Sequence, residues 1–96
     1  MNIGKAIREL RKRQELNQGQ LAQKAGITQA ALSAIESKGV RPNSETLKSL
    51  CEALQVPESL IYVMGMEKSD VPEHKQVLYD QLFPVIEDMV KRIGGI

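Results

Sequence analysis

The chain has 96 residues, 42% hydrophobic and 26% charged, a balance that fits one soluble globular domain and excludes a largely disordered chain. Its one cysteine, Cys51, makes no intrachain disulfide, and no apolar run nears the roughly 20 residues that span a bilayer, so a disulfide scaffold and a membrane protein are both excluded. The net charge of +1 is unevenly spread: residues 1–48 carry nine cations against four acids, and residues 49–96 carry four against eight.

Three aromatics (Tyr62, Tyr79, Phe83) and no Trp leave Leu, Ile, Val and Ala to build the core, a composition suited to short close-packed helices. The first helix is read from Ile3, Ala6, Ile7 and Leu10, which share one face while Lys5, Arg8, Glu9 and Lys12 point out. Its charges interrupt any apolar core, so MNIGKAIRELRKR is not a signal peptide and a cytoplasmic location is expected. The helix is expected to fade between Gln14 and Leu16. Asn17 then caps a second helix, with Gln20 completing a capping box and Leu16 and Leu21 placed as a hydrophobic staple. That helix stops at Gly26. Thr28 caps a third helix with Ile27 and Leu32 as its staple, and SKGVRPN follows as a loop.

Asn43 or Ser44 opens a fourth helix, whose Leu47, Leu50, Cys51 and Leu54 repeat at helical spacing. Pro57 suits the first turn of a short fifth helix through Leu60, Ile61 and Met64, closed by Gly65. Residues 1–65 thus form one unit, 66–72 a linker, and 73–96 a C-terminal helical segment. Ten of the seventeen residues from Val77 to Ile93 are apolar or aromatic, in two stripes. Leu78, Leu82, Val85 and Met89 make one; Phe83, Ile86, Val90 and Ile93 make the other. Pro84 removes a backbone donor, which predicts a kink or a break at that point. The fold class is all-α.

The residues with most to say lie in QGQLAQKAGITQAALSAIES, residues 18–37. Two short helices crossing through a tight turn need a small residue at the crossing, Ala22, and a glycine able to take positive φ, Gly26. Leu21, Ala25, Ile27, Leu32 and Ile35 seal the pair onto its neighbours. The remaining face of the third helix shows Thr28, Gln29, Ala30, Ser33, Ala34 and Ser37, with no charge before Glu36, whereas a solvated helix usually carries Glu and Lys there. This is the pattern of a helix-turn-helix that binds DNA.

Residues 3–64 resemble the Cro and phage-repressor class of helix-turn-helix domains, through LNQ, LAQKAGIT, IE and TLKSLCEALQVP. The resemblance implies a five-helix repressor-like head, usually dimeric, whose third helix enters the major groove of double-stranded DNA. It implies that Arg11 and Glu36 form a structural ion pair. It also places Gln29 at the start of the recognition helix, where a Gln amide matches adenine's N6 donor and N7 acceptor. Ala30 and Ala34 stand where such proteins often hold polar base readers and here offer only methyl contacts, while Ser33 can add a hydrogen bond. A larger share of specificity is therefore expected from DNA shape and from Arg41 near the minor groove. Asn17, Gln18, Thr28, Ser37, Lys38 and Lys48 are the further candidates for phosphate contact.

The C-terminal segment has three readings: it covers its own head, it pairs with a second copy as a homodimerisation arm, or it binds a different protein, as an antitoxin does. The arm reading uses Leu78, Leu82, Phe83, Val85, Ile86, Met89, Val90 and Ile93. Neither an enzyme nor a metal or cofactor site is expected: Cys51 lies on an apolar stripe, His74 is alone, and Glu87 and Asp88 diverge by about 100° on a helix. The expected role is a transcriptional regulator, a repressor or autoregulator acting on a near-palindromic operator at the nucleoid.

Overall fold

The apolar face of residues 3–10 forms the first helix, α1 (Ile3–Arg13), in a computed structural model that describes the backbone of residues 1–94 and the side chains of residues 1–92. It is followed by α2 (Gln18–Ala25), α3 (Gln29–Ser37), α4 (Ser44–Leu54), α5 (Glu58–Gly65), two 3₁₀ turns (Lys68–Asp70 and Glu73–Lys75) and α6 (Gln76–Gly94). No strand occurs among the described residues. The side chain of Ile93 lies outside them.

Local chemistry sets most helix starts. Asn17 and Gln20 form a reciprocal capping box, with bonds of 2.8 and 2.9 Å between each side chain and the other's backbone N–H. Thr28 Oγ1 accepts from the Ala31 N–H, and Asn43 Oδ1 from the Thr46 N–H, so Asn43 rather than Ser44 caps α4. Each such cap contributes about 1 kcal/mol. Asn2, which the sequence did not single out, caps α1 in the same way.

Ile7, Leu10, Leu21, Leu32, Leu50, Leu54 and Ile61 are fully buried, drawn from all five head helices. No described side chain of α6 belongs to this core, which is drawn from α1 to α5. Two glycines permit the close approaches that hold it. A Cβ at Gly4 would collide with the Ile35 carbonyl of α3, and one at Gly65 would stand 2.9 Å from the Asn2 carbonyl oxygen. Gly65 is therefore the last residue inside α5 and a contact point for the chain's start, whereas the sequence suggested only a stop signal. The Asn2 N–H donates to the Gly65 carbonyl, and the Met1 ammonium lies 2.8 Å from both Glu67 and Asp70. Hydrogen bonds to these two acids raise the ammonium's pKa, and the same pairing lowers that of Asp70.

Of the two outcomes expected at Pro84, a kink or a break, the break does not occur: α6 runs through it as one helix. The proline and Asp80, whose carbonyl loses its N–H partner, are both exposed, so water replaces the missing bond at low cost. The two apolar stripes of α6 meet different surroundings. Phe83 and Ile86 are half-buried and Val90 buried, on the side toward α1 and α5. Leu78, Leu82, Val85 and Met89 are 50–57% exposed.

Candidate nucleic-acid interface

The turn between α2 and α3 is built as tightly as the sequence requires. Gly26 takes φ +71° in the left-handed region, Ala22 is buried at the crossing, and Ile27 closes the turn with its N–H on the Ala22 carbonyl. Leu32 and Ile35 bury one side of α3. On the other side Thr28, Gln29, Ala30 and Ser37 are exposed, with Ser33 and Ala34 half-buried beside them. Gln29, Ala30, Ser33 and Ala34 thus share one neutral face.

Beneath that face sits a polar bracket. Arg11 Nε and Nη2 each donate to a different oxygen of Glu36 at 2.9 Å, a bidentate pair, while Arg11 Nη1 donates to the Leu16 carbonyl at 2.8 Å. Gln18 Nε2 donates to the same carboxylate at 3.2 Å. The Glu36 side chain is 1% exposed, so its charge is compensated only by these donors. The bracket joins α1, the start of α2 and the end of α3, the three pieces whose relative placement orients the neutral face.

The candidate phosphate-contact residues differ in what they have left to give. Asn17 and Thr28 spend their side-chain oxygens on helix caps, which leaves the Asn17 amide hydrogens and the Thr28 hydroxyl hydrogen as donors. Gln18 has one amide hydrogen committed to Glu36. Lys38, Arg41 and Lys48 are exposed and have no acidic partner among the described residues. By the same measure seven of the nine cations in residues 1–48 are unpaired, all except Arg11 and Arg13.

Two features of this surface were not read from the sequence. The first is the Gln18–Glu36 bond, which only the crossing of α2 and α3 makes. The second is Gly19, where a Cβ would lie 3.5 Å from Gln29 Oε1. The Gln29 side chain therefore rests over the first turn of α2.

No cluster of three or more His, Cys, Asp or Glu able to hold a metal occurs among the described residues. Cys51 is buried in the head, and burial, with Glu58 nearby, raises its thiol pKa. No described helix is long and apolar enough to cross a membrane.

A helix-turn-helix family profile matches residues 7–61, more than half of the chain and the whole of this surface up to α5. The chain belongs to the Cro/C1-type helix-turn-helix family. It is 40% identical over 67 residues to the HTH-type transcriptional repressor RghR of Bacillus subtilis, covering 67% of this chain and 49% of RghR. It is 36% identical over 61 residues to the immunity repressor protein of Bacillus phage phi105, covering 64% of this chain and 42% of that one. The chain thus spans about half the length of these two curated relatives. A third relative, the uncharacterized HTH-type transcriptional regulator RghRB of B. subtilis, is 32% identical over 94 residues, or 94% of this chain and 68% of its own. That match takes in α6 as well as the head. No solved structure matches the chain.

Proposed function

We propose that the protein is a sequence-specific DNA-binding transcriptional regulator, a repressor or autoregulator, that binds a near-palindromic operator as a homodimer in the cytoplasm. The observation that carries this reading is the neutral face of α3 on a head whose exposed Lys38, Arg41 and Lys48 have no acidic partner among the described residues. Such a face loses little by leaving water for a groove edge, and these cations supply the phosphate attraction that dominates affinity. In this reading α3 enters the major groove, with Gln29 and Ser33 as polar readers and Ala30 and Ala34 against thymine methyls. Lys38, Arg41, Lys48 and Ser37, with the remaining donors of Asn17, Gln18 and Thr28, hold the backbone. The names of the relatives, repressors and a regulator, support the same role.

Dimerisation is assigned to the exposed stripe of α6. Leu78, Leu82, Val85 and Met89 are spaced four, three and four residues apart, the seam of a coiled pair. The spacing is also symmetric about its centre. Two antiparallel copies would set Leu82 against Val85 and Leu78 against Met89, which makes the stripe complementary to itself. Phe83, Ile86 and Val90 instead fix the arm to its own head.

The test is selection of bound fragments from genomic DNA, then titration of the best fragment at two salt concentrations. A near-palindromic site bound at least about a thousandfold more tightly than random DNA supports the reading, and the salt slope counts the phosphates engaged. Weak, uniform binding overturns it, and the α6 stripe would then be the docking face for a different protein, as in an antitoxin.

A further inference from the structure

The segment between the head and α6 is not a free tether. Flexible linkers are rich in Gly and Ser, whereas residues 66–75 (MEKSDVPEHK) hold one serine, one proline and no glycine. Two 3₁₀ turns fill most of the segment, and only residues 66, 67, 71 and 72 lie outside them. In the turns the Asp70 N–H donates to the Glu67 carbonyl at 2.9 Å, and the Lys75 N–H to the Pro72 carbonyl at 2.8 Å. The start of α6 then folds back on this segment. Gln76 Nε2 donates to the Lys68 and Val71 carbonyls at 3.4 and 3.3 Å, and Lys68 Nζ to Asp80 at 2.9 Å. The Tyr79 hydroxyl donates to the Met66 carbonyl at 3.4 Å, and its ring stacks on Phe83 with centroids 4.6 Å apart. Toward the other end of α6, Val90 is buried and Arg13 of α1 donates to the Lys91 carbonyl at 3.4 Å. Each exposed contact is weak alone. They are spread from residue 66 to residue 91, so the arm cannot swing about one point without breaking several at once.

We propose that residues 66–80 are a strut holding α6 at one angle to the head, and that Gln76, Tyr79 and Asp80 thereby set the one operator spacing that the dimer accepts. The proposal rests on the homodimer reading above. These three are positioning residues: they act on DNA only through where they hold the second head. Changing the distance between half-sites by two base pairs turns one of them by about 70° around the duplex. A flexible tether would follow that turn, whereas a strut leaves the second head out of reach and its contribution is lost.

The first test needs no DNA. Amide nitrogen relaxation of the full chain should report the head and α6 as one rigid body, and independent, faster motion of α6 overturns the proposal. The second test uses operators whose half-site spacing differs by one and two base pairs. The unmodified chain should prefer one spacing, and a two-pair change should cost about a hundredfold, down to the affinity of a single half-site. Two variants loosen the strut: Gln76→Ala with Asp80→Ala, and a chain with Gly-Gly-Ser inserted between Asp70 and Val71. In both, the same change should cost less than about tenfold, while single half-site affinity stays within about threefold and sedimentation still shows a dimer. The insertion leaves every side chain in place, so it decides if the double variant disturbs the start of α6. Equal binding of all spacings by the unmodified chain, or its profile kept in both variants, overturns the proposal alone. Failure of the underlying reading looks different: the chain sediments as a monomer, or binds no operator above random DNA, single half-site included, and the proposal falls with it.

Discussion

In the proposed interface two side chains, Gln29 and Arg11, should fail differently when removed. Gln29 is exposed and touches no other helix's core, so Gln29→Ala leaves stability within about 0.5 kcal/mol. Binding to the operator should fall by about 1–3 kcal/mol, confined to one base-pair position in each half-site. Competition among operators varied one position at a time checks this, and an unchanged preference everywhere removes Gln29 as a base reader. Arg11 is the opposite case. Arg11→Met strands the Glu36 carboxylate, 1% exposed, with only the Gln18 amide to balance it. A stranded buried charge costs about 3–5 kcal/mol, a large part of what a domain this size has. Pairing Arg11→Met with Glu36→Leu should restore most of that loss, since an apolar pair of similar volume replaces a buried ion pair at little cost. Urea unfolding of the three variants measures it, and a cost below about 1 kcal/mol for Arg11→Met would reduce the bracket to the standing of a surface pair.

At the scale of the helices, two glycines that look alike in sequence divide by what surrounds them. Gly4→Ala drives a methyl into the Ile35 carbonyl and should destabilise the head by about 1–3 kcal/mol through forced separation of α1 and α3. Gly19→Ala meets nothing nearer than 3.4 Å and should gain up to about 1 kcal/mol from helix propensity. Thermal unfolding of both variants gives the pair of signs. Equal shifts would mean that the α1–α3 contact relaxes freely. Much of this level was readable beforehand because its causes are local: a capping box, a staple and a turn glycine each act within five residues. What stayed hidden depends on distant chain. Gly4 and Gly65 are demanded by carbonyls of Ile35 and Asn2, far off in sequence. Glu15 and Gln55 take φ of +58° and +59° with no glycine to announce it, and Gln14 closes α4 by donating to the Leu54 carbonyl at 2.8 Å. Of the interface, the neutral face of α3 could be read from missing charge alone. The tie from Gln18 to Glu36 could not. For α6 the periodicity gave both apolar stripes but not their fates, because hydrophobicity is the same on each and only docking against α1 and α5 tells them apart.

For the whole molecule the decisive quantity is how many heads reach the DNA at once. One head with few polar readers gains modest affinity, whereas two joined heads convert the second contact into an intramolecular step worth about a hundredfold or more without any new interaction. In the proposed dimer the exposed stripe of α6 provides the joint, and because Leu78, Leu82, Val85 and Met89 lie outside the head's core they can be altered without unfolding the head. Leu82→Glu with Val85→Glu places like charges opposite one another at the centre of an antiparallel seam. Sedimentation should show the unmodified chain as a dimer and the double variant as a monomer, with the same helical content and head stability. Affinity for a two-half-site operator should fall by about a hundredfold or more, while affinity for a single half-site stays within about threefold. The single half-site is the control that separates loss of pairing from damage to α3. A chain that sediments as a monomer before any substitution would show that the stripe is not a seam between copies, and equal losses on both DNAs would show that the substitutions reach the head.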